Sequence, residues 1–346
     1  MPQDMTNATH MRIEVEEIPE ATRRLLSNSG AQLAAAGEKL RELQPVMIAT
    51  IARGSSDHAA AFLKYAIELV AGVPVASIGP SIMSIYGREL RLDGCAAISI
   101  SQSGKSPDIV AMAQSARRNG ATTIALTNTA DSPLATSADI SVDLSAGPET
   151  SVAATKSFVS SVVAGLGILG HWTSDKALLA SLDALPDVFA KAVTCDWTPF
   201  MAALKGRDSL YVLGRGPALA IAEEAALKFK ETCGMHAEAY SAAEVLHGPA
   251  RIVEAGFPIL ALAARDAGEA GVAEITDRLA RQGANAFATS TRVTTATQLP
   301  FAPTGHPITD ALSLIVSFYA FVEMLSRHRG FDPDHPPHLK KITETL

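Results

Sequence analysis

Positive charge is scarce in this chain: 29 Lys and Arg stand against 36 Asp and Glu, a formal net charge of -7. A protein whose main partner is nucleic acid shows a basic surface, so that class is disfavoured, although a local basic pocket for a small anion is not. Cysteine is nearly absent. Cys95, Cys195 and Cys233 leave an odd one over and show no metal-ligand spacing. They read as free buried thiols of a reducing compartment, hence a cytoplasmic protein. The longest apolar run, Phe158 to Gly170, is broken by serines and glycines and reads as a buried helix. Met1 to Glu17 has no apolar centre, so no secretory signal is expected. No zinc-type Cys/His set, Gly-x-Ser-x-Gly elbow or Walker loop occurs. The expectation is no metal, no cofactor, no nucleic acid and no membrane.

What is present is a long, apolar, soluble-type chain. Its 346 residues, 47% hydrophobic and 19% charged, suggest two domains with large cores. Residues 1 to about 20 begin disordered, and helices follow over 21–28 and 30–43. Residues 45–52 read as a strand, Gly54-Ser55-Ser56 as a tight turn and 58–70 as a helix stopped by Gly72. A second strand covers 73–78. Ala96 to Ser101 is a third, running into the hydroxyl-rich loop Ser101-Gln102-Ser103-Gly104-Lys105-Ser106, which opens a helix at Pro107. A fourth strand covers 121–127. Strands alternating with helices predict βαβ units and a parallel sheet covered on both faces.

The pattern then recurs. Residues 209–213 read as a strand, Gly214-Arg215-Gly216 as a turn and 218–231 as a helix. A strand over 257–262 leads to a helix ending near Gly283. Gly54 with Gly214 and Gly120 with Gly283 mark two copies of one α/β domain, joined by a helical stretch over 156–192. The fold expected is α/β, each copy a three-layer, flavodoxin-like parallel sheet flanked by helices. The expected division is 1–30 arm and helix, 31–180 first domain, 195–330 second domain and 331–346 tail. Gly214-x-Gly216 is half of a dinucleotide fingerprint whose third glycine is missing, which argues against a nicotinamide cofactor.

The Ser101–Ser106 loop is either an ordinary serine-capped helix start or an anion site, where free N–H groups and hydroxyls face a negative ligand. Gly54-Ser55-Ser56 lies at the same sheet edge, beyond the carboxyl ends of the strands, where ligands bind in open α/β sheets. The second copy carries Ala264-Arg265-Asp266-Ala267-Gly268 instead, so one phosphate site per chain is expected. Glu224, Lys228 and Glu231 share one helix face. They are either a solvated row of ion pairs or, with apolar Ala222, Ala226 and Phe229 opposite, a covered row able to move a proton. His247, before Gly248-Pro249, is either structural or catalytic. The proline-rich tail with Lys340 and Lys341 is of a normally disordered kind.

Together these motifs resemble the sugar isomerase (SIS) domain family, most closely the isomerase half of the glutamine–fructose-6-phosphate aminotransferases. The likeness rests on Gly54-Ser55-Ser56, Ser101 to Gly104, Val152-Ala153-Ala154-Thr155-Lys156, Ala226 to Glu231, His236 to Tyr240, Glu244 to Pro249 and Leu339-Lys340-Lys341. The resemblance implies a sugar phosphate held by Ser55, Ser56, Ser101, Gln102, Ser103 and Ser106, with Val152 and Ala153 beside the sugar. It implies Glu231 as the base between C1 and C2, Lys341 as the Schiff-base lysine, and Lys228 and Glu224 in support. His247 becomes the ring-opening residue, supplied by the second subunit of a homodimer. Ala154 stands where the family often has Ser, and Lys105 where it often has Glu. No glutaminase domain with its nucleophilic cysteine is seen. The expected reaction is therefore glucosamine-6-phosphate to fructose-6-phosphate and ammonia. A fructosamine-6-phosphate deglycase and a non-catalytic phosphosugar sensor are the alternatives.

Overall fold

The computed structural model describes residues 8–341. The outermost parts of the expected arm, 1–7, and of the expected tail, 342–346, lie outside the described residues. In chain order come α1 (His10–Glu16), α2 (Ile18–Leu43), β1 (Ile48–Ile51), α3 (Ser55–Val70), β2 (Val75–Ser77), α4 (Ser81–Ser84) and β3 (Ala96–Ile100). Then follow α5 (Pro107–Arg118), β4 (Thr122–Thr127), α6 (Pro133–Ser137), β5 (Ile140–Asp143), α7 (Lys156–Thr173) and α8 (Lys176–Ala192). The remainder is α9 (Thr198–Ala203), β6 (Ser209–Gly214), α10 (Pro217–Cys233), β7 (His236–Ser241), β8 (Pro258–Ala261), α11 (Glu269–Arg281), β9 (Asn285–Ala288), β10 (Thr297–Gln298) and α12 (Pro307–His328). Of the described residues, one compact unit takes Glu20–Pro148 and Lys156–Leu185. The other takes residues 8–19, Glu149–Thr155 and Pro186–Lys341.

The first unit holds a five-stranded parallel sheet in the order β2-β1-β3-β4-β5. The strands β1 and β3 are buried throughout, as expected of a sheet covered on both faces. Against it, α3 and α7 approach so closely that a Cβ on Gly165 would lie 2.3 Å from Leu63 Cδ1. The second unit repeats the arrangement, with the order β10-β9-β8-β6-β7 and every pair parallel. Taken from its first strand, each sheet has the same flavodoxin-like order, so the duplication holds at the level of topology. It holds at single residues too. Gly54 (φ 57°, ψ -135°) opens α3, and Gly216 (φ 58°, ψ -135°) opens α10. That backbone region excludes side chains. The true counterpart of Gly54 is therefore Gly216, not Gly214. Gly214 is needed for a different reason: a Cβ there would stand 2.2 Å from the Ala218 carbonyl oxygen.

Three local expectations change. Residues 10–16, for which no element was expected, are helical, because Thr9 caps α1 and Met11 and Val15 are buried. The two helices expected over 21–43 are one. Ala21, Leu25, Leu33, Ala36 and Leu40 keep a buried helical stripe across Gly30, and that packing outweighs the roughly 1 kcal/mol cost of a mid-helix glycine. The tail is ordered as far as Lys341, and Asp334 is buried.

The second unit's core is built on α10 and α12. Phe229 meets Phe318 edge-on with ring centroids 5.0 Å apart, and Phe200 lies 5.5 Å from Phe321. Helix α12 is long and apolar enough to cross a membrane by composition, yet 94% of that window is buried inside the protein. It is a core helix that happens to carry Asp310, Tyr319 and Glu323, all buried.

Candidate functional site

The two βα loops of the first unit that carry serines emerge from β1 and β3, neighbours in the sheet and the strands at which its order reverses. Ligands of open α/β sheets sit at that point. The loops are tied together by an ion pair, Arg53 Nε to Asp108 Oδ2 at 3.1 Å. Their hydroxyls do not cap the helices in the ordinary way. Ser106 occupies the N-cap of α5 but its side chain makes no cap hydrogen bond, and α3 starts at Gly54 with none either. By contrast, Ser132 does cap α6 by accepting from the Ala135 N–H. Ser101 Oγ and Ser103 Oγ instead accept from the N–H groups of Gly104 and Lys105, which curls the loop on itself. Gly104 makes that curl possible. Its φ is +63°, and a Cβ would lie 2.1 Å from Ser132 Oγ. The start of α5, the Ser106 hydroxyl and exposed Lys105 are groups suited to a phosphate.

The equivalent loop of the second unit cannot serve that way. Arg265 is committed to Asp310, with its guanidinium 3.7 Å above the Phe301 ring. The Asp266 carboxylate accepts from the Gly268 N–H. Burial, against the pull of that hydrogen bond and with help from Asp310 and Glu269, raises the Asp266 pKa. With Arg265 held by Asp310, the Asp266 carboxylate in the loop repels an anion, as the sequence implies.

Within the second unit, the row on α10 is a covered one. Glu224 and Lys228 have no exposed side-chain surface. Lys228 Nζ lies 3.1 Å from Glu224 Oε1 and 2.5 Å from Glu231 Oε2. Burial alone would lower the Lys228 pKa, but the two carboxylates overcome it and hold the ammonium charged well beyond the ordinary lysine range. Tyr319, from α12, donates its hydroxyl to Glu224 Oε1 at 3.0 Å. Burial and then the Glu224 charge push its pKa far up, so it stays a donor. Only Glu231 of the row reaches the surface, with 21% of its side chain exposed. It lines a cleft of about 450 Å³ with Leu227, Lys230, Phe331, Pro336 and Leu339.

Lys341 is held in the same unit. Its Nζ donates to Glu149 Oε2 at 3.1 Å and to the Ser151 carbonyl at 2.8 Å. The other Glu149 oxygen accepts from the Thr155 N–H at 3.0 Å, which fixes the segment carrying Val152 and buried Ala153. Tyr319 feels the charges of both Glu149 and Glu231. His247 sits exposed in the turn between β7 and a short 3-10 helix, Pro249–Ile252. Gly248 there has φ 140°, and Tyr211 donates its hydroxyl to the Pro249 carbonyl. Among the described residues, no hydrogen bond joins its imidazole to Glu231, Lys228 or Lys341. The second unit thus gathers Glu224, Lys228, Glu231, Lys341, Val152 and Ala153. The serines of the phosphate loops belong to the first unit, and His247 stands apart from the row.

Glu149 and Tyr319 escape a reading of the sequence. Glu149 lies three residues before the Val152–Lys156 motif in a stretch with no periodicity. The signal for Tyr319 is weak: a polar group inside an otherwise apolar 22-residue helix.

The SIS domain family matches residues 44–167 and 203–290. The chain is 33% identical over 335 residues to a glutamine–fructose-6-phosphate aminotransferase (isomerizing) of Pyrobaculum aerophilum, covering 86% of this chain and 54% of that protein. It is 31% identical over 361 residues to that of Symbiobacterium thermophilum, covering 96% and 58%. The chain spans about half the length of the curated relatives it matches. Among solved structures, a Silicibacter pomeroyi DSS-3 protein proposed to be a phosphosugar isomerase shares 54% identity at a TM-score of 0.92, over 94% of this chain and all of that one. The C-terminal domain of glucosamine–fructose-6-phosphate aminotransferase from Francisella tularensis shares 26% at 0.80, over 96% and 99%.

Proposed function

The chain belongs to the SIS domain family, and from that premise we propose that it is a phosphosugar isomerase that deaminates glucosamine-6-phosphate. Glucosamine-6-phosphate and water give fructose-6-phosphate and ammonia. The observation that carries this reading is the row on α10: a buried Glu224–Lys228 pair whose far end, Glu231, opens to a cleft that Asp332 of the tail also lines. A proton shuttle between adjacent carbons needs such a carboxylate, held in one geometry by groups that do not themselves move. The curated relatives, named for fructose-6-phosphate, support the choice of sugar.

In this mechanism the Ser101–Ser106 loop and Ser55–Ser56 hold the phosphate. His247 of a second subunit opens the sugar ring. Glu231 takes the proton from C2 and returns it to C1, which converts the C2 amine to a C2 imine. The Lys341 amine adds to that carbon and ammonia leaves. Water then hydrolyses the new imine, giving the ketose and free Lys341. Lys228 keeps Glu231 in place and offsets its charge.

The test is incubation with glucosamine-6-phosphate, with ammonia and fructose-6-phosphate measured together. Production above a Glu231→Gln control supports the reading. Release of an amino acid from fructosamine-6-phosphate, with no ammonia from glucosamine-6-phosphate, points to the deglycase instead.

A further inference from the structure

Helix α1 touches both partners of the Lys341 contact. At its start, the N–H groups of His10 and Met11 donate to the two oxygens of the Asp334 carboxylate, at 2.7 and 2.8 Å. Asp334 lies on the same tail as Lys341, seven residues earlier. One turn further along α1, Glu14 accepts from the N–H and hydroxyl groups of Thr150 and Ser151. The same short segment presents the Ser151 carbonyl and the Glu149 carboxylate to Lys341 Nζ. The helix itself is fixed in place. Met11 and Val15 are wholly buried, and Thr9 donates its hydroxyl to the buried Glu323 of α12 at 2.8 Å.

We infer that α1 is a clasp that positions Lys341, with Asp334, Glu14 and Glu149 as its three positioning residues. The inference rests on the proposed reaction for its chemical purpose, but not for its geometry. Residues 331–341 contain no helix or strand, so nothing local holds the tail in shape. A lysine on such a tail samples many positions, and ordering it at each encounter slows attack on a carbonyl. The clasp does that ordering beforehand. Asp334 fixes the root of the tail against α1, and Glu14 fixes the receiving segment against the same helix. Glu149 locks the lysine, since its second oxygen is held by the Thr155 N–H and the carboxylate cannot swing away. Each carboxylate here is buried, and each buried charge is met by donors.

Two measurements on Asp334→Ala, Glu14→Ala and Glu149→Gln test this. The first needs no substrate: a pulse of acetic anhydride, with acetylation of Lys341 compared by mass spectrometry with that of exposed Lys105. The clasp predicts that Lys341 acetylates several-fold faster in each variant while Lys105 is unchanged. Glu14→Gln, which keeps one acceptor oxygen, stands in if Glu14→Ala loses the fold. The second is borohydride trapping of fructose-6-phosphate on Lys341, expected to slow on the order of tenfold in each variant. The affinity for sorbitol-6-phosphate, which has no carbonyl, should be unaltered in Asp334→Ala, whose carboxylate holds the tail and not the segment carrying Val152 and Ala153. Wild-type acetylation of Lys341 in all three variants overturns the clasp. A wild-type protein that traps no fructose-6-phosphate, while the acetylation pattern appears, leaves the clasp standing and defeats the phosphosugar reading.

Discussion

Replacing Lys228 by Met removes the cation from a buried row without changing its length. Lys228 has no exposed surface and pairs with both Glu224 and Glu231. In the variant, Glu224 keeps the Tyr319 hydroxyl but loses its ion pair with Lys228, and Glu231 loses the same ammonium. Breaking a buried ion pair by removing one partner costs about 3–5 kcal/mol, because the remaining charge stays desolvated. At roughly 2–4 °C per kcal/mol for a domain of this size, the melting temperature should fall by about 6–20 °C. The companion variant, Glu224→Gln with Lys228→Met, removes both buried charges and should recover most of that loss. The penalty should also depend on pH. Removing the Lys228 ammonium disfavours the charged form of buried Glu224, so the variant is penalised most at high pH. The gap to wild type should narrow as pH falls from about 8 to about 5 and Glu224 takes up a proton. Thermal unfolding followed by circular dichroism measures all three. A Lys228→Met melting temperature within error of wild type, or a double variant no better than the single one, refutes the reasoning.

Gly104→Ala should spoil the phosphate cradle, because φ is positive and the new Cβ meets Ser132 and Thr127 side chains; phosphosugar affinity, measured by calorimetry, should fall several-fold. Asp277, whose burial is outweighed by donors from Thr294, Thr295 and Ala296, has its pKa lowered to about 2. Its contribution is therefore present above the ordinary aspartate range and lost as pH falls from about 4 towards 2. Asp277→Asn should remove about 1–3 kcal/mol at neutral pH in a denaturant titration, with little further effect in acid. Inactive His247→Ala and Glu231→Gln chains, once subunit exchange is demonstrated, should regain part of their activity when mixed. A mixture that stays inactive excludes a shared site.

The duplicated fold was legible because both copies need the same local chemistry. A glycine must open each first βα turn, and a glycine must end each helix at Gly120 and Gly283, whatever packs around them. The exact equivalence was not legible, since Gly214 and Gly216 look alike in sequence while one is required by close packing and the other by its backbone angles. Strand β7 was hidden because it is a sheet edge, where His236 and Glu238 face solvent and blur the apolar pattern. The α10 row was visible in its spacing, but that spacing fits a solvated row as well as a covered one, and its burial is settled only by the packing of α12 against α10. Glu149, Tyr319, Glu14 and Asp334 were not visible. Each acts on a partner that tertiary folding brings near from 95 or more residues away, and no local pattern marks such a pairing.

The central claim is that Glu231 moves the proton that turns an amino sugar into a ketose. The direct measurement follows glucosamine-6-phosphate labelled with deuterium at C2, reading ammonia, fructose-6-phosphate and the label at C1. The account predicts equal amounts of ammonia and ketose, part of the deuterium retained at C1 or exchanged with water. In Glu231→Gln, turnover should fall by about 10²–10⁴ with substrate affinity kept. Ammonia release at the wild-type rate in Glu231→Gln would contradict it, as would release with the deuterium still on C2.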